Sequence, residues 1–354
     1  MSWVIYGATG YTGKLIAEHA VKRGLKPLLA GRSEEKLAPL AKELGLEHRA
    51  VSIDDAAGLR KLLEGKKVVV HAAGPFVRTA KQMAEACLDT QTHYVDITGE
   101  VKAMEAVYAL DARAKERGVV LVTAGGFDVV PTDCLAAYVA QKAPGGARLE
   151  IDIFPKGAPS AGTMASLLGM IESGGLTRRG GELVHAPLLK NPARVRFPRG
   201  EMWSFPSPLG DLASGFRSTG IPEIVTRMAM PDRQATFLKA AGAVSGLTEA
   251  ALKLALTTGP IRGALEKRVA KIQGANEQKR GRGYCQVRAK VTGPNGSAEA
   301  WMETPDGYTF TYEVVLLEVD RLLKTDKRGA LAPSQAFGVD FALEVPGTKR
   351  IDTL

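Results

Sequence analysis

The chain has little cysteine, little histidine and no uninterrupted apolar run of membrane length. Its three cysteines, Cys87, Cys134 and Cys285, are odd in number, lie far apart and form no CxxC pair. That argues against a disulfide framework or a zinc site and fits a reducing compartment, the cytoplasm. The five histidines, His19, His48, His71, His93 and His185, show no metal-ligand spacing, so no metal is expected. The most apolar helical stretch, Ala235 to Ile261, is interrupted by Lys239, Glu249 and Lys253, which makes it a poor membrane span. The N-terminus carries neither the basic n-region nor the apolar h-region of a signal peptide. Internal repeats, low-complexity tracts and a long basic tail are missing too. The net charge is +9, but the 38 acids are interspersed with the bases, so no nucleic-acid partner is expected.

What is there is an ordinary globular composition, 45% hydrophobic and 24% charged, spread over 354 residues. Such a chain needs no covalent or metal support, and it is too long for one compact core. Strand-like runs at Trp3–Tyr6, Pro27–Ala30, His48–Val51, Val68–Ala73, His93–Ile97 and Val119–Ala124 alternate with helical patterns at Lys14–Arg23, Glu34–Leu44, Ala56–Leu63, Arg78–Leu88 and Lys102–Arg117. Alternation at this spacing predicts parallel strands with crossover helices, and continuous apolar strands predict a sheet buried on both faces. The pattern changes at Pro144-Gly145-Gly146. Ala147–Phe154 alternates with period two, as a half-buried strand does. Gly162–Ile171 is expected as a short helix, Thr177–Gly215 as loops with short strands, and Ile224–Ile272 as mostly helical. Tyr284–Val291 and Ala298–Glu303 predict a hairpin built on Asn295-Gly296, and Tyr308–Leu323 and Gln335–Leu343 predict closing helices.

The stretch GATGYTG, Gly7-Ala8-Thr9-Gly10-Tyr11-Thr12-Gly13, follows the first strand and opens the first helix. This is the dinucleotide-binding turn: Gly7 for the tight turn, Gly10 for backbone approach to a pyrophosphate, Gly13 for close packing of helix on strand. The helix N-terminus then offers free N–H groups and a partial positive charge. An NAD binder usually ends its second strand with an acid for the ribose 2′-hydroxyl. Here the strand ends AGRS, and Arg32 and Ser33 suit a 2′-phosphate, so NADP(H) is the expected cofactor. Ser33 is equally placed to cap the next helix. After the fourth strand, Ala73-Gly74-Pro75-Phe76 lies at the carboxyl end where ligands bind in such folds.

GATGYTG, AGRS, HAAGPF, HYVDITGE (His93–Glu100) and GGFDVVPTDCLA (Gly125–Ala136) together resemble the saccharopine dehydrogenase-like oxidoreductases, and more closely their short bacterial branch related to trans-acting enoyl reductases. GTMASLL, NEQKRGRGY and DGYTFTYEVVLLEVDRLL follow in the family's order. The resemblance implies an N-terminal NADP(H)-binding Rossmann domain with a parallel sheet, a second α/β domain holding substrate, and C-terminal helices that return to the Rossmann domain. The expected divisions are residues 1–146, residues 147–304 with a helical insertion at 224–272, and residues 305–354. Members of the family are said to act on imine-linked amino acids or enoyl groups. The segment GLDPGIDHL of saccharopine-forming enzymes is replaced here, which argues against saccharopine as substrate.

The strand-end acids and hydroxyls supply the candidate chemistry. Asp128 and Thr98 are the expected catalytic residues, since a carboxylate beside a bound imine can orient it or relay a proton; for Asp128 a structural role stays equally open. Phe127, Asp133, Thr163 and Ser166 are expected to face substrate, and Phe76 with Phe127 to wall it; for Asp133, capping of the next helix is favoured. Tyr138 and Lys142 match the YxxxK pair of short-chain dehydrogenases, but the serine expected a dozen residues earlier is missing. The expected protein is therefore a cytoplasmic, homodimeric NADPH-dependent oxidoreductase that moves a hydride to or from a C=N or conjugated C=C bond of a small or carrier-linked substrate. A non-catalytic NADP(H) sensor and a carbonyl reductase using Tyr138 are the alternatives.

Overall fold

The computed structural model describes residues 2–157, 160–162, 164, 174–232, 235–236 and 277–354. The chain divides into two compact units, Met1–Val130 with Tyr308–Gly338, and Pro131–Gly307 with Val339–Leu354.

In the first unit, β1 (Trp3–Tyr6), β2 (Leu28–Gly31), β3 (His48–Ala50), β4 (Val68–His71), β5 (His93–Asp96) and β6 (Val120–Val122) are joined by a late strand, β15 (Gly329–Leu331). The order is β15-β6-β5-β4-β1-β2-β3, and every pairing is parallel. Val68, Val69 and Val70 are fully buried, as strands covered on both faces must be. The chain winds outward from β1 to β3 and then starts again at β4, so β1 and β4 flank the switch point of a doubly wound sheet. One face is covered by α1 (Tyr11–Lys22) and by a returning helix, α10 (Gly307–Leu322). Ile16 and Ala20 of α1 and Val315 and Val319 of α10 share one apolar cluster with Ile5, Val70 and Val122. The return of Tyr308–Leu323 to the Rossmann sheet thus agrees with the sequence reading.

Three details depart from it. The helix expected over Lys102–Arg117 is two, α5 (Val101–Tyr108) and α6 (Asp111–Arg117); the break frees the Asp111 carboxylate to accept the Ala330 N–H of β15 at 2.9 Å. β15 itself, three residues long, went unread. The helix expected at Gln335–Leu343 is a short one, α11 (Pro333–Phe337), stopped by Gly338 at φ 103°, followed by a 3-10 turn at Phe341–Glu344.

The second unit is built on a mixed sheet of β7 (Arg148–Lys156), β8 (Leu176–Arg179), β9 (Glu182–His185), β10 (Ala193–Phe197), β11 (Gly200–Pro206), β12 (Glu223–Met230), β13 (Tyr284–Gly293), β14 (Gly296–Pro305) and β16 (Lys349–Ile351). Its main path runs β10-β11-β12-β7-β13-β14-β16, with β8 and β9 added at β12. The helical reading from residue 224 is corrected here: Ile224 opens no helix but lies in β12, parallel to β7 and antiparallel to β11. The ladder bonds available from both neighbours outweigh a mixed apolar pattern. Residues 237–276 lie outside the described residues. Within the stretch Thr177–Gly215 read as loops with short strands, a helix begins, α8 (Asp211–Thr219). The hairpin closes on the pair Gly293 and Gly296, so its turn residues are Pro294 and Asn295. The boundaries differ too. Residues 131–146, including most of α7 (Val130–Lys142), and residues 339–354 group with this unit rather than with the Rossmann sheet.

Candidate active site

At the carboxyl end of β1 the chain turns at Gly7, whose φ is +88°. A methyl group there would stand 2.7 Å from the Ala72 carbonyl carbon, so the turn lies directly against the exit of β4. A methyl on Gly13 would stand 2.3 Å from the Gly7 carbonyl oxygen, the tight helix-on-strand contact expected of the third glycine. Gly10 is exposed, in extended conformation, and is the N-cap of α1; no side chain caps this helix and no acid stands in its first turn. An uncapped helix N-terminus beside bare backbone fits a pyrophosphate. Of the remaining turn residues, Ala8 is buried, Thr9 is exposed, and Tyr11 and Thr12 are half-buried; the Tyr11 ring meets Tyr308 edge-on at 4.8 Å.

Arg32 follows β2, is exposed, and enters no salt bridge among the described residues. Ser33 is the N-cap of α2 (Glu34–Leu44) but makes no side-chain capping bond, which leaves its hydroxyl for another partner. Tyr6, not singled out in the sequence, donates its hydroxyl to the Val51 carbonyl oxygen at 2.9 Å and so fixes the exit of β3. Burial, with the Asp54 charge adding to it and Arg32 opposing, pushes its phenol up to about 12.

Beyond β4 the loops are organised by buried polar side chains. Asp96, fully buried at the end of β5, accepts the Tyr94 and Thr123 hydroxyls on Oδ2 at 2.6 and 2.9 Å, and the Thr98 and Ala124 N–H groups on Oδ1 at 2.9 and 2.8 Å. Thr98 Oγ1 accepts the Glu100 N–H at 3.0 Å. Glu100 in turn accepts the Phe76 and Val77 N–H groups at 3.2 and 2.8 Å. Thr79 Oγ1 lies 2.8 Å from the Ala73 carbonyl oxygen and 3.0 Å from His71 Nε2. Since the hydroxyl donates to the carbonyl, the histidine proton sits on Nε2. Burial lowers His71 to about 3, so it is neutral at physiological pH.

The expected substrate residues divide. Asp128 stands next to the β5 exit: a methyl on Gly99 would lie 3.1 Å from its Oδ2. The side chain is reached by solvent, but the protein crowded around it removes enough water to raise its carboxyl to about 6. Thr98 is only 1% exposed, and its hydroxyl oxygen accepts the Glu100 N–H, which ties it into the loop. Phe76 and Phe127 are 8% and 6% exposed. Their rings pack on His71 and Phe310, which removes them as open walls, and the Phe127 N–H donates to Thr311 Oγ1 at 3.0 Å. Asp133 is fully buried in the first turn of α7, the position favoured for helix-dipole stabilisation. Thr163 and Ser166 lie outside the described residues. Gly74 and Pro75 are exposed and Ala73 half-buried. Thr79 and His71 were missed; their signal was polar residues in and just after HAAGPF at a strand end.

The YxxxK pair has another use. The Tyr138 hydroxyl and the Lys142 ammonium both donate to Asp352 Oδ1, at 2.9 and 3.2 Å, and the Arg350 guanidinium stacks 3.5 Å from the Tyr138 ring centroid. The motif anchors the chain's last residues to α7.

With this geometry in place, likeness to known proteins is decisive for the first unit. Residues 3–122 match the saccharopine dehydrogenase NADP binding domain. The match agrees with NADP(H) as the cofactor. A trans-acting enoyl reductase of Mycobacterium bovis is 33% identical over 138 residues, 37% of this chain and 33% of that protein. A bovine saccharopine dehydrogenase-like oxidoreductase is 28% identical over 164 residues, 40% of this chain and 38% of that protein. The chain thus matches less than half the length of these curated relatives. The L-glutamate-forming saccharopine dehydrogenase of Saccharomyces cerevisiae shares the fold across 99% of both chains, with a TM-score of 0.66 and 12% identity. Among the described residues no helix is long and apolar enough to cross a membrane.

Proposed function

We propose that the chain is an NADP(H)-dependent oxidoreductase acting on a C=N or conjugated C=C bond of a small or carrier-linked substrate, with Asp128 as its proton-transfer group. The observation that carries this is the Asp128 carboxyl, solvent-accessible, next to Gly99 at the strand ends of an NADP-binding domain, and raised to about 6. The cofactor supplies the hydride chemistry when bound. The chain's residues do the rest. The Gly7–Gly13 turn and the α1 N-terminus take the pyrophosphate, Arg32 and Ser33 the 2′-phosphate, and the β4 exit loop backs the nicotinamide side. Reduction of C=N or C=C consumes one proton besides the hydride; a carboxyl near 6 holds that proton just below neutrality and gives it up readily. Thr98 serves indirectly, by fixing Glu100.

The test is turnover with a panel of cyclic and open-chain imines and enoyl thioesters, followed by loss of NADPH absorbance. Turnover with either class that disappears in Asp128→Asn supports the reading. Tight NADPH binding with no turnover across the panel sinks it in favour of a nucleotide sensor. The reading also includes a homodimer in the cytoplasm, checked by sedimentation and cell fractionation. The carbonyl-reductase alternative gains nothing from the geometry, because Tyr138 and Lys142 spend their polar ends on Asp352.

A further inference from the structure

The loop leaving β4 is gripped from two sides. Glu100 holds the N–H groups of Phe76 and Val77, one with each carboxylate oxygen. Thr79 holds the carbonyl side, with Ala73 O at 2.8 Å and Pro75 O at 3.3 Å. Glu100 is itself fixed: its N–H goes to Thr98 Oγ1, and the Thr98 N–H goes to Asp96 Oδ1, which also takes the Ala124 N–H. A chain of hydrogen bonds through Thr98 and Glu100 therefore links a fully buried carboxylate in the sheet to the backbone of Phe76 and Val77.

The loop adjoins the dinucleotide turn. A methyl on Gly7 would stand 2.8 Å from the Ala73 nitrogen, and β4 is the neighbour of β1 on the side away from β2 and β3. In a doubly wound sheet the adenosine half lies toward β2 and β3, so the β4 loop faces the nicotinamide half. Within the loop the Phe76 ring is buried against His71, while Gly74 and Pro75 are exposed and Val77 is 55% exposed.

We propose that Glu100 is a positioning residue for the nicotinamide half of the dinucleotide. By gripping two N–H groups with a charge-assisted pair of bonds it presets the 73–77 backbone, so the loop need not be ordered when the dinucleotide binds. The inference rests on the NADP(H) reading above. A glutamine at this position keeps the shape but offers one acceptor oxygen and turns an amide NH2 toward the second N–H.

The experiment is fluorescence or calorimetric titration of wild type, Glu100→Gln and Glu100→Asp with two probes, NADPH and adenosine 2′,5′-bisphosphate, alongside thermal unfolding of the free proteins. NADPH affinity should fall about tenfold in both variants, the size expected for losing one charge-assisted contact. Affinity for the bisphosphate, which lacks the nicotinamide half, should stay within about twofold. NADPH affinity unchanged in both variants overturns the proposal. So does an equal loss for both probes, or a variant that no longer unfolds cooperatively, since each marks Glu100 as a general structural support. Failure of the wild type to bind NADPH is a different result: it removes the cofactor reading itself.

Discussion

Asp128 rests its carboxylate over Gly99, so close that a methyl on Gly99 would stand 3.1 Å from Oδ2 and 3.2 Å from Cβ of Asp128. The contact joins the loops leaving β5 and β6, and it exists because position 99 has no side chain. Crowding raises the Asp128 carboxyl to about 6, against about 3.9 for an unfolded aspartate. The folded state therefore binds the extra proton between about pH 4 and pH 6, and stability falls as pH rises through that window. Asp128→Asn removes the titration. The variant should melt higher than wild type at pH 7 to 8, with the advantage gone by about pH 4, while NADPH affinity is kept and turnover is lost. Melting curves at several pH values and initial rates check this. A variant that is less stable at neutral pH and fully active contradicts it.

Two glycines of the turn, Gly10 and Gly13, should show different defects. Gly10 has φ −73° and ψ 160°, which alanine adopts freely, and a methyl there meets only the Gly7 carbonyl oxygen, at 3.3 Å, as a close neighbour. Gly10→Ala should leave stability within about 1 kcal/mol of wild type yet weaken NADPH at least about tenfold by standing in the place of the pyrophosphate. Gly13→Ala drives a methyl to 2.3 Å from backbone and should cost about 1–3 kcal/mol before any ligand is added. Chemical denaturation and NADPH titration of the two variants, side by side, decide it.

Arg32 is exposed at the end of β2, where its guanidinium can reach a 2′-phosphate. Wild type should bind NADPH at least about tenfold more tightly than NADH, a gap of about 1.4 kcal/mol. Arg32→Ala should erase most of it by weakening NADPH alone, with melting temperature unchanged because the side chain makes no salt bridge among the described residues. Equal affinity of wild type for the two cofactors would rule this role out.

The sequence carried the Rossmann half well because its signals are local: strands of Val and Ile, a glycine turn between strand and helix, a basic residue where an acid selects NAD. It carried the rest poorly where pairing is long-range. β12 reads as helix until β7 and β11 are seen on either side of it. β15 has three residues and gains its identity only from β6. At the site, composition located the right loops but not the direction of each side chain. Thr98, Phe76 and Phe127 turn inward, and Glu100, just before α5, reaches back to the N–H groups of Phe76 and Val77.

Glu318 was invisible as a point of interest in an apolar helix, and it carries the last prediction. It is fully buried in α10, and among the described residues neither carboxylate oxygen has a hydrogen-bond partner. A methyl on Gly125 would stand 2.4 Å from its Oε2. Burial first, and the Asp96 charge second, raise its carboxyl well above the usual range. A carboxyl raised in the folded state contributes a stability loss that begins above the unfolded value of about 4.3 and grows until the folded value is passed. Glu318→Gln keeps the shape and abolishes that loss. The melting temperature of Glu318→Gln relative to wild type should therefore rise as the pH goes from 5 to 8. Measuring both in an Asp128→Asn background removes the Asp128 titration, so the difference between the two curves reports the Glu318 carboxyl. The same helix carries Thr311, which accepts the Phe127 N–H, so ionisation of Glu318 should also loosen the segment that holds Asp128. Amide exchange at Phe127 should accelerate with pH beyond its intrinsic rise in wild type, and less so in Glu318→Gln. Parallel melting curves for the two proteins across this range would refute a neutral, buried Glu318.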